Sequence, residues 1–192
     1  MTHTQSNTVT MYPGMVCSAT EFFIENGETK IIQNAKVLPF CEISFGTQQI
    51  LQEAINEDLN IKLALHDMHP NSSMKRLEQF AKCRFGGLDF QGDIKDGELQ
   101  DGEYWPCPKR GTCPHEGILC KLPTYNNQRL TSQDVQLLQL TATNKTNEAI
   151  GEEMNLPMGS FHKAKKFLYV KLGIQTKQEG VFISLFLNLI HF

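Results

Sequence analysis

The sequence predicts an α+β chain, and three observations carry that expectation. A β-patterned stretch over residues 18–40 sets an Asn-Gly pair between two apolar runs. Helical periodicity follows it from Thr47 to Cys83, and returns almost unbroken from Leu130 to the end. The 192 residues suffice for one medium domain or two small ones. Apolar residues make up 40% of them, enough to bury a core without disulfide staples.

The opening "MTHTQSNTVT" is polar, has no signal-peptide layout, and reads as part of a flexible tail over residues 1–16. "TEFFI" and "TKIIQ" then flank "ENGE", where Asn26-Gly27 is the preferred pair for a tight hairpin. "KVLPF" adds a third strand ending at Pro39. In "TQQILQEAINEDL" the residues Ile50, Leu51, Ala54, Ile55 and Leu59 recur at helical spacing, with Thr47 as N-cap. "HPNSS" interrupts the pattern, and "SMKRLEQFAKC" restarts it with Met74, Leu77, Phe80 and Ala81 on one face. From Arg84 to Tyr104 the chain is rich in Gly, Asp and Glu and has little periodicity. It reads as a long loop, and such a loop in a folded module needs something to pin it. The N-terminal module thus covers residues 17–120, "KLPTYNNQR" at 121–129 is a linker, and a helical domain fills 130–192.

The stretch "YWPCPKRGTCPHEGILC", residues 104–120, raises the question of metal. The longest apolar run, "VFISLFLNLIHF", is too short for a bilayer, which takes about 20 residues. The expectation is therefore a cytoplasmic protein without a membrane partner. In a reducing compartment, clustered cysteines more often hold metal or do redox chemistry than form disulfides. Cys83, Cys107, Cys113 and Cys120 form the candidate ligand set, and one ion held by all four would pin both ends of the loop. Their spacing is wider than the close pairs of a zinc ribbon. An iron–sulfur cluster suits it as well. Zinc is favoured as the commoner structural metal, with the cluster, and a redox or iron sensor built on it, as the alternative. His66, His69 or His115 could replace a thiolate, and buried apolar cysteines, or a disulfide in an exported protein, are the plain alternatives. Cys17 and Cys41 lie in the β-rich stretch and read as small core residues.

Little points to catalysis. The aspartates of "GDIKDGELQDGE" do not follow the EF-hand order. A Gly-rich phosphate loop, a G-x-S-x-G turn and an H-E-x-x-H pair are all missing from the sequence. The expectation is a protein that is not an enzyme.

The last third carries the strongest signal. Leu130-Thr131 opens a helix with Asp134 placed for a capping box, and Val135, Leu137, Leu138 and Leu140 include its buried face. Thr146 caps "NEAIGEEM", whose Ala149, Ile150 and Met154 point inward. "NLPMGS" is a tight turn, and "SFHKAKKFLYVKL" buries Phe161, Ala164, Leu168 and Leu172 while His162, Lys163 and Lys166 lie on its other face. Two helices joined by a short turn, the second apolar inside and basic outside, suit a helix-turn-helix. The formal net charge is −3, so any nucleic-acid role rests on this local patch.

These residues resemble the LuxR-type (GerE-like) helix-turn-helix domain over the last third of the chain. The likeness lies in Leu130, Thr131 and Asp134, in Thr146, Asn147 and Ile150, in Lys171-Leu172-Gly173-Ile174, and in Glu179 and Val181. The chain departs from the family at Asn144, Glu148-Ala149, Pro157, Phe161 and Ala164. The resemblance implies a tetrahelical DNA-binding domain of a transcription regulator. Ser160, His162, Lys163 and Lys166 would face bases or nearby phosphates, with Lys145, Thr146 and Lys171 on the DNA backbone. Double-stranded DNA is the implied partner, a homodimer through the last helix the implied assembly, and RNA polymerase a further candidate partner. That last helix carries Val181, Phe182, Leu185, Phe186, Leu189 and Ile190 over a broad face. Region 4 of sigma factors has a related layout. The alternative from another class is an adaptor, phage- or mobile-element-borne, whose helical bundle docks protein.

Overall fold

A computed structural model of the chain describes residues 11–190. Its described residues form seven α-helices and three small antiparallel sheets, an α+β arrangement. They divide into two compact units, Met1–Gly102 and Glu103–Phe192.

The first unit begins with an antiparallel meander of β1 (Glu21–Glu25), β2 (Glu28–Gln33) and β3 (Lys36–Pro39). Asn26, at φ 53°, and Gly27 make the first turn, as the sequence predicts. The second turn uses Asn34 and Ala35, and Ala35 sits at φ 61°, an uncommon conformation for alanine. The chain preceding β1 braces that turn. The Ala35 N–H donates to the Gly14 carbonyl at 2.7 Å, and Tyr12 stacks on Phe90 with ring centroids 4.9 Å apart. Of the tail expected over 1–16, Pro13 and Gly14 are therefore buried against the unit while Val16 stays exposed, and residues 1–10 lie outside the described residues.

Three helices follow: α1 (Phe45–Glu57), α2 (Leu59–Met68) and α3 (Ser73–Arg84). The N-cap of α1 is Ser44, whose hydroxyl accepts the Thr47 N–H at 3.1 Å. Thr47, expected as the cap, is instead a buried first-turn residue with its hydroxyl 2.9 Å from Ser44 Oγ. Asp58 ends one helix and caps the next, accepting the N–H groups of Asn60 and Ile61. Leu59, expected on the α1 face, therefore opens α2 and is exposed. Periodicity alone cannot register such a break, because the apolar spacing continues across it. Phe22, Ile31, Phe40, Leu51, Ile55, Leu65, Leu77, Phe80 and Phe85 are buried in this unit. The Phe22 ring lies 6.0 Å from Phe40 and 6.1 Å from Phe85. Cys17 and Cys41, read as core residues, are exposed.

The stretch read as a long loop after Arg84 contains a hairpin, β4 (Ile94–Lys95) and β5 (Glu98–Leu99), turned by Asp96-Gly97. Protein groups pin it. The buried Asp93 carboxylate accepts the Phe22 N–H at 2.6 Å, and Thr20 bridges Ile94. Arg84 is buried here too, and fills the place a side chain at Gly102 would need.

The second unit opens with an irregular stretch whose turns fall between residues 108 and 120, anchored by buried Tyr104, Trp105 and Leu119. The stretch expected as a linker carries a hairpin, β6 (Thr124–Tyr125) and β7 (Gln128–Arg129), turned by Asn126 and Asn127 at φ 47° and 59°. Four helices follow: α4 (Ser132–Thr141), α5 (Asn147–Glu153), α6 (Met158–Leu172) and α7 (Lys177–Phe186). They surround an apolar cluster that includes Leu130, Leu137, Leu138, Ile150, Phe161, Leu168, Leu172, Ile183 and Leu189. Tyr104 is buried in that cluster, and Leu122 and Tyr125 pack against it. Packing thus joins the cysteine-rich stretch to the helical unit and sets the division at residues 102–103. No helix among the described residues is long and apolar enough to cross a membrane.

Candidate nucleic-acid interface

Local chemistry places α6. Thr131 and Asp134 form a full capping box at the start of α4: the Thr131 hydroxyl accepts the Asp134 N–H, and the Asp134 carboxylate accepts the Thr131 N–H. Thr146 caps α5 by accepting the Ala149 N–H at 3.3 Å. The chain then turns tightly through Asn155, at φ 54°, and the Leu156 N–H closes back on the Gly151 carbonyl at 2.8 Å. Gly151 lets α5 and α6 approach. A Cβ there would lie 3.2 Å from Met158 Sδ and 3.7 Å from Phe161 Cβ. Gly173, left-handed at φ 71°, stops α6 as a glycine C-cap does, with the Ile174 N–H bonded to the Tyr169 carbonyl. Thr176 and Glu179 form a second capping box at α7.

Phe161, Leu168 and Leu172 are buried on one side of α6. At about 100° per residue, Lys163 and Val170 lie opposite them, flanked by Lys166 and Phe167. All four are exposed, as are Ser160 and His162. The helix sequence, "MGSFHKAKKFLYVKL", contains four lysines, one histidine and no acidic residue.

The lysines differ in how they are held. Lys165 donates to Asn147 Oδ1 at 3.1 Å and sits 5.4 Å over the Tyr169 ring. Lys171 donates to Asp134 Oδ2 at 2.8 Å, and both side chains are mostly covered. Burial pushes the Asp134 carboxyl up, but Lys171 and the Thr131 N–H and hydroxyl outweigh it and leave it below its ordinary range. Lys145 is ion-paired with Glu153, and Thr146 is occupied as a cap. Lys163 and Lys166 make no ion pair or side-chain hydrogen bond among the described residues. The His162 ring meets the Phe161 ring edge-on at 5.4 Å. The exposed half of α6 therefore carries Lys163 and Lys166 near its middle with His162 and Ser160 at its two edges, while Lys145, Thr146 and Lys171 are tied into local bonds.

The cysteines have other surroundings. Cys83 lies in the last turn of α3, where its sulfur accepts from Gln79 Nε2 at 3.0 Å. Cys107, Cys113 and Cys120 lie half-buried along the turns of the second unit. Among the described residues, no three His, Cys, Asp or Glu side chains gather as a metal-binding group. The stretch has anchors of its own: Arg110 stacks 4.4 Å over the Tyr104 ring and pairs with Glu116.

One surface feature escaped the sequence reading. Phe167 and Val170 are 64% and 73% exposed on α6, where their apolar character suggests burial. Their spacing from Lys163, four and seven residues on, was the available signal. On α7 the broad apolar face expected from the sequence leaves Phe182 and Phe186 71% and 53% exposed, while Ile183 takes the buried position.

No family model matches the chain, and comparison with curated proteins and with solved structures returns no match.

Proposed function

We propose that the chain is a sequence-specific, DNA-binding transcription regulator. In this reading α5 and α6 form a helix-turn-helix, and α6 enters the major groove. One observation carries it: α6 shows solvent a side bearing Ser160, His162, Lys163 and Lys166, on a chain whose net charge is −3. The two α6 lysines that make no ion pair or side-chain hydrogen bond among the described residues are the two aimed away from the core. Phosphates attract such lysines without regard to sequence, and displaced counterions make that attraction salt-dependent. Lys145 and Lys171 would reach the DNA backbone by exchanging Glu153 and Asp134 for phosphate.

A homodimer fits the same reading. Phe182 and Phe186 stand one turn apart on α7 and leave an apolar surface for a second copy. Two copies would set two α6 helices on half-sites about 34 Å apart. The metal centre expected from Cys83, Cys107, Cys113 and Cys120 draws no support from the geometry, and the reading does not use it.

The test is titration of the full chain with duplexes recovered by selection from a randomised pool. Lys166→Ala should flatten the logarithmic salt slope by about one unit, as for one lost phosphate contact. Lys163→Ala should cost ~1–3 kcal/mol and relax specificity at one base position. If Lys163→Ala/Lys166→Ala binds as tightly as wild type at matched salt, α6 is not the DNA-reading helix. The protein-docking adaptor then takes its place.

A further inference from the structure

The exposed side of α6 is not uniformly basic. Lys163, Lys166, Phe167 and Val170 form one stripe at spacings of three, four and seven residues, directly opposite the buried Phe161, Leu168 and Leu172. A phenylalanine and a valine more than half exposed on a basic helix are unexplained by packing, since the apolar cluster of this unit is complete without them. They are also unexplained by phosphate binding, which needs charge.

We infer that this stripe reads thymine, with Phe167 and Val170 packing against the C5-methyl groups in the major groove while Lys163 and Lys166 hold the flanking polar edges and phosphates. The inference rests on the DNA-binding reading above and names what that helix selects. The thymine methyl is the one apolar feature a base pair shows in the major groove, and phenylalanine is among the side chains that contact it. From Lys163 to Val170 the helix rises ~10 Å, the length of about three base-pair steps. The stripe can therefore set its lysines and its apolar pair on neighbouring steps of one short site. A protein partner fits the same stripe less well. Lysine is depleted where protein interfaces are fully buried, and here two lysines that engage no acid among the described residues interleave with the two apolar side chains.

The experiment uses the full chain, a duplex recovered by selection, and the same duplex with each thymine replaced by uracil, which deletes only the methyl. Wild type should bind the uracil duplex about fourfold more weakly for each contacted methyl, taking ~0.8 kcal/mol per buried carbon and ~1.4 kcal/mol per tenfold. Phe167→Ala/Val170→Ala should bind the two duplexes equally and keep the wild-type salt slope. Both residues are exposed, so circular dichroism and the melting temperature should stay near wild type. Lys166→Ala should keep the thymine-over-uracil preference and lose slope instead. Equal wild-type affinity for both duplexes overturns the inference and leaves the DNA-binding reading standing. So does a preference that survives Phe167→Ala/Val170→Ala. If that variant leaves DNA binding untouched but abolishes self-association, the stripe is a protein contact and the inference also fails. Failure of wild type to bind any duplex overturns the DNA-binding reading itself.

Discussion

The two units solve the same stability problem with different interiors. The first buries charged groups: Glu21, Arg84 and Asp93 lie inside it among the phenylalanines, and the Asp93 carboxylate serves the Phe22 N–H. The second buries Thr141 and Ser184 as its polar residues, beside a core made mostly of Leu, Ile and Phe. Their surfaces differ in the opposite sense. Phe45, Leu59, Leu63 and Phe90 are exposed in the first unit on three separate segments. Both units carry exposed helical pairs, Leu59 with Leu63 on α2 in the first, and Phe167 with Val170 and Phe182 with Phe186 in the second. Phe167 and Val170, however, stand on one helix side with lysines that make no ion pair among the described residues. Charge used to stabilise is inside and bonded, whereas charge available to a partner is outside and unpaired. On the proposed reading, recognition belongs to the second unit.

The largest expected effect tests the apolar interior. Phe161 is fully buried between α5 and the rest of the cluster. Phe161→Ala should cost ~3–5 kcal/mol, and hydrogen exchange should show the loss in the amides of α4, α5 and α6. Unchanged protection there would break the comparison. Next comes the charged interior. Asp93→Ala leaves the buried Phe22 N–H without its acceptor and should cost about 1–3 kcal/mol by denaturant titration. Asp93→Asn retains an oxygen acceptor and should recover part of it. Full stability of Asp93→Ala would mean that the buried carboxylate is not structural.

Capping gives a smaller effect, with a sign. Asp134→Ala removes both the capping-box carboxylate and the partner of Lys171, and should cost ~0.5–2 kcal/mol. The folded-state pKa of Asp134 is lowered, by Lys171 and Thr131 against the opposing push of burial. The stabilisation is therefore fully present above the unfolded value, near 3.8, and is lost as pH falls through the lower folded value. Wild type and Asp134→Ala should converge in stability over that acid range and separate above it. The smallest effect is at the surface. Phe45→Ser and Phe182→Ser should each stay within about 0.5 kcal/mol of wild type. By sedimentation, Phe182→Ser should weaken self-association and Phe45→Ser should not. Equal behaviour of the two would remove the distinction between a lone exposed residue and the α7 pair.

Much of the second unit was legible because its signals are local. An N-cap bond joins residues three apart, so the Thr131–Asp134 capping box and the Thr146 cap on Ala149 can be read from neighbours. The glycine stop at Gly173 and the inward positions Phe161, Leu168 and Leu172 follow from the same short-range geometry. The Asn26-Gly27 hairpin is of this kind too. The Asp96-Gly97 turn carried the same signal, masked by an acidic stretch that reads as loop.

Other features required the chain to fold before they had an answer. Lys171 bonds to Asp134, 37 residues away, so its availability to a phosphate is a property of the packed helices. On α7 the apolar residues cover too wide an arc for spacing to choose a buried side. Packing against α4 selects Ile183 and leaves Phe182 and Phe186 outside. The cysteines are the sharpest case. Their types and order suggest four ligands for one ion, but whether thiolates converge depends on backbone paths set by Tyr104, Trp105 and Leu119. By itself the sequence determined what is decided within about a turn of helix or a two-residue loop: the Asn26-Gly27 hairpin, the caps of α4 and α5, the stop at Gly173 and the inward side of α6. Tertiary structure alone decided which charges are already paired and which apolar groups stay exposed, because pairing and burial are set by residues far apart in the chain.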